Sequence, residues 1–147
     1  MKRPPRILDT LVYIRKLREE RARERLAAAL KALEEARRDL QTVRDTRSSL
    51  FGELQPKELS GGDLRLLGEG MEGLFRETFR LEEKLKARSS EMESLKTELR
   101  RAYQERRVSE RLRERLWWRY RREEERIFYR ELDDLTLMRG SRSRRGR

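Results

Sequence analysis

The chain has 147 residues, with 39 Lys and Arg against 28 Asp and Glu, a formal net charge of +11 and only 35% apolar residues. That composition excludes a broad globular core but suffices for a narrow seam between helices. With neither Cys nor His, it also excludes disulfides, thiol nucleophiles, zinc sites and the usual proton shuttle.

Pro4 and Pro5 close a short basic start, and Asp9 or Thr10 is placed to cap a helix, with Ile7, Leu8, Leu11 and Ile14 forming an apolar stripe around that point. The apolar run in MKRPPRILDTLVYIRK is too short for a signal peptide, and no later segment approaches a membrane span, so a soluble protein on the cytoplasmic side is expected. Good helix formers then continue without Pro or Gly as far as Gly52. Helix one is expected over about residues 5–52, about 70 Å at the usual rise per residue. Along it Leu26, Ala29, Leu33, Ala36, Leu40, Val43, Arg47, Leu50 and Leu54 recur at alternating steps of three and four, the spacing that keeps one seam turned toward a partner helix.

Pro56 and the Ser60-Gly61-Gly62 run break the helix, giving a turn over about 53–62, and Asp63 is a fair N-cap for a second helix. Helix two is expected over about 63–139, roughly 110 Å. Gly68, Gly70 and Gly73 soften its beginning, each at a cost of about 1 kcal/mol relative to Ala. Leu64, Leu67, Met71, Leu74, Thr78, Leu81, Leu85, Arg88, Met92, Leu95, Leu99 and Ala102 repeat the three-four spacing. After Ala102 the clean heptad lapses, with Arg106, Ser109 and Arg113 at the seam positions. The last residues, GSRSRRGR at 140–147, read as a disordered basic tail.

The fold class this implies is all-α: a long antiparallel two-helix coiled-coil hairpin with a C-terminal helical overhang, forming one domain over 1–139. A turn centred near residue 58 pairs position i with about 117 − i, so Leu33 faces the neighbourhood of Leu85 and helix one is exhausted opposite about residue 112. Leu112 to Arg139 then extends as a lone helix, marginal in water unless something packs on it. Charge is uneven along the chain, at +5 over residues 1–25, −2 over 26–99 and +8 over 100–147. The end holding both termini is therefore strongly basic, which suits an oriented partner.

Enzyme chemistry finds no footing. GEGMEG at 68–73 lacks the lysine and the preceding strand of a phosphate loop, and the carboxylates sit on exposed helix surfaces with no pocket to shift them. No cofactor, metal or small-molecule substrate is expected. The sequence pI of about 10.6 raises nucleic-acid binding, but the arginines are interleaved with glutamates and Glu123-Glu124-Glu125 is a counterweight, so no nucleic acid is expected as a partner. A basic coiled-coil scaffold for nucleic acid remains the alternative from another class.

Two apolar groups stand out as contact surfaces. In the overhang, Trp117, Trp118, Tyr120, Ile127, Phe128, Leu132 and Leu135 lie roughly along one side. They pack on helix one in a shifted register, on a second copy of the chain, or on a partner through aromatic anchors. Trp117 and Trp118 are adjacent and point apart, so one face of a hairpin cannot bury both, which favours an external partner. Near the turn, Phe51, Phe75 and Phe79 flank the seam or present a patch, the two helix-two rings falling across from Gln41 and Val43.

At both ends the pattern resembles the FliJ family. ILDTLVYIRKLREERARERLAAALKALEEARRDLQTV is similar to the family's opening, an apolar stretch leading into an Ala/Leu heptad. RLRERLWWRYRREEERIFYRELDDLTLMR resembles its closing helix, where Arg/Glu repeats lead to Glu131, Leu132, Asp133, Asp134 and Leu135. The resemblance spans nearly the whole chain and implies a non-enzymatic role in flagellar type III export. The partners it implies are the ring-forming export ATPase, the cytoplasmic domain of the export gate membrane protein and export chaperones, at the cytoplasmic face of the inner membrane. Injectisome stalk proteins and rotary-ATPase stalk subunits share the architecture and stay open as alternatives. On this reading Leu11, Ile14 and the seven overhang residues face the ATPase, and Gln41, Phe51, Phe75 and Phe79 face the gate. The glycine-rich start of helix two and Pro56 depart from the family pattern.

Overall fold

A computed structural model describes residues 2–53 and 60–146. Among them the fold is two helices, α1 (Ile7–Glu53) and α2 (Gly61–Arg145), with no strand. The expected turn residues Leu54 and Pro56 lie outside the described residues.

The helix ends differ from expectation for local reasons. The Pro5 carbonyl accepts from the Leu8 amide at 3.1 Å, and the Arg6 carbonyl accepts from the amides of Asp9 and Thr10 at 3.0 and 3.3 Å. Asp9 therefore lies inside the first turn of α1, where its charge complements the positive end of the helix dipole, and is not the cap. At α2 the cap is Ser60 rather than Asp63. The Asp63 amide donates to Ser60 Oγ and the Ser60 amide donates to Asp63 Oδ2, both at 3.2 Å, a reciprocal capping box. At its far end α2 runs through Gly140 to Arg145, so most of the segment expected as a disordered tail is helical. Arg142, Arg144 and Arg145 in the last turn complement the negative end of the dipole.

Two compact units can be distinguished: Met1–Glu19 with Ala102–Arg147, and Glu20–Arg101. Each is an antiparallel pairing of α1 with α2, as a two-helix hairpin requires. In the Glu20–Arg101 unit the seam is made by Ala22, Ala29, Leu33, Ala36 and Leu40 on α1 and by Thr78, Leu81 and Met92 on α2, all buried. Leu67, Met71, Leu74, Leu85, Leu95 and Leu99 are half-buried along the same line. Leu50 and Leu64, expected in the seam, are exposed where the pairing runs out. Arg44 pairs with Glu82 at 3.4 Å, and the Arg47 guanidinium lies 4.4 Å from the Phe75 ring. Those partner numbers add to 126 and 122 instead of 117, so Leu33 faces positions beyond Leu85, and Phe75 lies across from Arg47 instead of Gln41 and Val43.

In the unit of Met1–Glu19 and Ala102–Arg147 the seam between the helices is largely polar. Val12 is buried, Glu19 and Ser109 are buried, and Arg15, Arg106 and Arg113 are half-buried between the helices. Arg106 Nε donates to Glu19, and its Nη1 donates to Glu110 at 2.8 Å, while Arg107 reaches the other Glu110 oxygen at 3.1 Å. Arg15 Nη1 donates to the Glu105 carbonyl at 2.8 Å, which also accepts from Ser109 Oγ at 2.9 Å. Asp9 and Arg113 pair more loosely at 3.6 Å. No buried side-chain nitrogen or oxygen among the described residues lacks a partner. What reads in sequence as a lapse of the heptad is thus a satisfied ionic cluster.

Burial pushes the Glu110 carboxyl upward, but hydrogen bonds and charge from Arg106 and Arg107 more than reverse this, and it titrates below its ordinary value. Its contribution to stability is complete above pH 4.5 and is lost as pH falls through the lower folded value. Thermal melts should therefore show stability falling in acid below pH 4.5, with a flatter acid limb in Glu110→Gln. Glu19→Ala takes the partner from Arg106 Nε, leaving the half-buried guanidinium with Glu110 alone, and should lower the midpoint by roughly 5–10 °C. Arg38→Ala removes only an exposed pair with Glu34 and should shift it by less than about 2 °C.

Candidate functional site

The unit of Met1–Glu19 and Ala102–Arg147 ends in an uncovered helix. Here α1 supplies residues 7–19 while α2 supplies residues 102–145. The ionic cluster sets the alignment, so the start of α1 falls opposite Arg113 and the residues just after it. The preceding coil extends the cover slightly, with the Arg3 guanidinium 5.4 Å from the centre of the Trp117 ring. Trp117 in turn meets Tyr120 edge-on, ring centres 5.8 Å apart and planes at 89°. The bare stretch therefore begins after Tyr120, about two turns later than residue 112, and from Glu124 onward every described residue is exposed.

The two tryptophans part as their adjacency requires. Trp117 is half-buried, whereas Trp118 is 59% exposed, with the guanidinium of Arg122 lying 4.9 Å from the centre of its ring. Tyr120 is half-buried and its hydroxyl donates to Glu124, which together with partial desolvation raises the phenol above its ordinary value. Ile127, Phe128, Leu132 and Leu135 are exposed, and Tyr129, Leu137 and Met138 extend the apolar surface beyond the residues picked out from sequence. Four large apolar side chains, at 127, 128, 132 and 135, thus stand exposed on an otherwise highly charged chain.

Leu11 and Ile14 do not join this surface. Leu11 is half-buried beside the seam and Ile14 is 42% exposed, while Val12 occupies the buried position. Continuing the seam backward from Leu26 through Ala22, Glu19 and Arg15 to Val12 finds this register.

In the Glu20–Arg101 unit, the Arg47 guanidinium sits over both Phe75 at 4.4 Å and Phe51 at 5.9 Å, which brings two of the four expected residues together. Phe79 is exposed with no ring contact among the described residues, and Gln41 turns along its own helix to Asp45 at 2.9 Å. Arg47 is the member that sequence reasoning placed in the seam and did not connect with the rings.

A model of the family described as "Flagellar FliJ protein" matches residues 5–145. No curated protein and no solved structure matches the chain.

The two tryptophans should separate in chemical denaturation. Trp117→Ala loses its contacts with Arg3 and Tyr120 and should cost about 1 kcal/mol. Trp118→Ala should stay within about 0.5 kcal/mol of the parent chain.

Proposed function

The chain belongs to the FliJ family, whose members are non-catalytic components of flagellar export, and from that membership we propose that it acts there as a helical hairpin that engages the ring-forming export ATPase through its uncovered C-terminal helix. The observation that carries this reading is the apolar face at Ile127, Phe128, Leu132 and Leu135, which no part of α1 is long enough to cover. Trp117, Trp118 and Tyr120 border it and supply aromatic anchors of the type that dominate interface energetics. Leu11 and Ile14, which lie apart from this face on α1, are proposed as a separate and lesser contact with the same partner.

The basic balance of residues 1–25 and 100–147 suits a partner with an acidic or polar lumen, steered by charge. The rings of Phe51 and Phe75 with Arg47, together with Phe79 and Gln41, are the proposed contact for the cytoplasmic domain of the export gate. Export chaperones are proposed as further partners. No helix among the described residues is long and apolar enough to cross a membrane, so the proposed place at the cytoplasmic membrane face is held through partners.

Mixed with the export ATPase of its own system, the chain should raise ring assembly and ATP hydrolysis. The double variant Phe128→Ala, Leu132→Ala should lose most of that stimulation, about tenfold or more in the concentration required, while keeping its melting midpoint. Stimulation that is absent, or unaltered by the double variant, would overturn the assignment of this face.

A further inference from the structure

The uncovered helix carries a pattern that is complementary to itself. Phe128, Leu132 and Leu135 lie at successive steps of four and three, so they share one face, and they are 58%, 47% and 57% exposed. The same steps lead outward into charge, to Glu125 before Phe128 and Arg139 after Leu135. Glu125 and Arg139 each stand seven residues from Leu132, about two helical turns. Neighbouring groups are occupied within the chain: Glu123 pairs with Arg126 at 3.7 Å, and Glu124 accepts from Tyr120. Glu125 and Arg139 have no ion-pair partner among the described residues.

Turned end for end about Leu132, this face fits a second copy of itself. Leu132 meets Leu132, Phe128 meets Leu135 on either side, and Glu125 meets Arg139 in both outer layers. That is an isologous two-fold interface with coiled-coil spacing. A parallel arrangement would set Glu125 against Glu125 and Arg139 against Arg139, so charge selects the antiparallel one. We infer that two copies of this chain pair antiparallel through residues 125–139 when no other partner is bound. The pairing itself does not depend on the ATPase reading. Its consequence does: Phe128, Leu132 and Leu135 cannot serve a second copy and a ring at once, so pairing keeps the export end covered until a ring takes it.

The test uses the full chain alone. Sedimentation equilibrium should give twice 17.9 kDa at high concentration. Glu125→Arg and Arg139→Glu should each weaken association about tenfold, since each disrupts both outer layers. The double variant carrying both changes should restore it. Because the chain has no cysteine, Leu132→Cys should form a disulfide between copies on mild oxidation, and Arg130→Cys, on the far side of the helix, should not. A single-chain mass at every concentration, a double variant no better than the single ones, or equal crosslinking at 130 and 132 would overturn the inference. A monomer that still stimulates the ATPase removes the pairing and leaves the ring reading standing. A dimer that has no effect on the ATPase does the reverse.

Discussion

Coverage of one helix by the other is the constraint that shapes this chain. An α-helix in water is held mainly by the face that it buries, and in the unit of Met1–Glu19 and Ala102–Arg147 the first helix has residues 7–19 to lay against 102–145 of the second. Everything after Tyr120 has helix-forming sequence and apolar side chains but no neighbour from α1. Such a segment is stable to the extent that it is docked elsewhere, and each functional reading of the chain is an answer to what docks on it.

Where the bare stretch begins along α2 is decided by polar chemistry. An Ala/Leu seam tolerates a slip of one heptad, because one small or branched residue replaces another at each layer. The cluster of Glu19, Arg106 and Glu110 does not. A slip of seven residues in one direction would set the buried Glu19 against Leu99 and break its ion pair with Arg106 across the two helices. Buried ion pairs add little net stability over a well-packed apolar substitute, but a misaligned one is costly, so their effect is on alignment. The exposed i,i+4 pair of Glu34 and Arg38 contributes no such selection.

The apolar part of this arrangement is legible from residue spacing almost position by position. Ala29, Leu33, Ala36 and Leu40, and across from them Thr78, Leu81 and Met92, are buried where the three-four steps put them. The polar part is legible only as positions on the second helix, because spacing puts Arg106, Ser109 and Arg113 in the seam without showing what they pair with. The steps in fact continue through Arg106, Ser109 and Arg113 on one helix and through Glu19 and Arg15 to Val12 on the other. The site is legible as a set of residues and only partly as a surface. Trp117 and Trp118 separate as their adjacency demands, but that Arg3 reaches Trp117 and Arg47 joins Phe51 to Phe75 depends on long flexible side chains that spacing does not place. Likewise Ser60 and Asp63 are both good capping residues, and only their reciprocal bonds show which one caps.

The beginning of α2 carries a different consequence. A β-carbon added at Gly68, Gly70 or Gly73 would meet open space, and no backbone angle there demands glycine. Nothing steric retains these residues, so what the chain keeps by having them is local looseness, at the expense of helix propensity. Helix propensity accordingly holds the amides of this stretch less firmly than those under Leu81 and Met92.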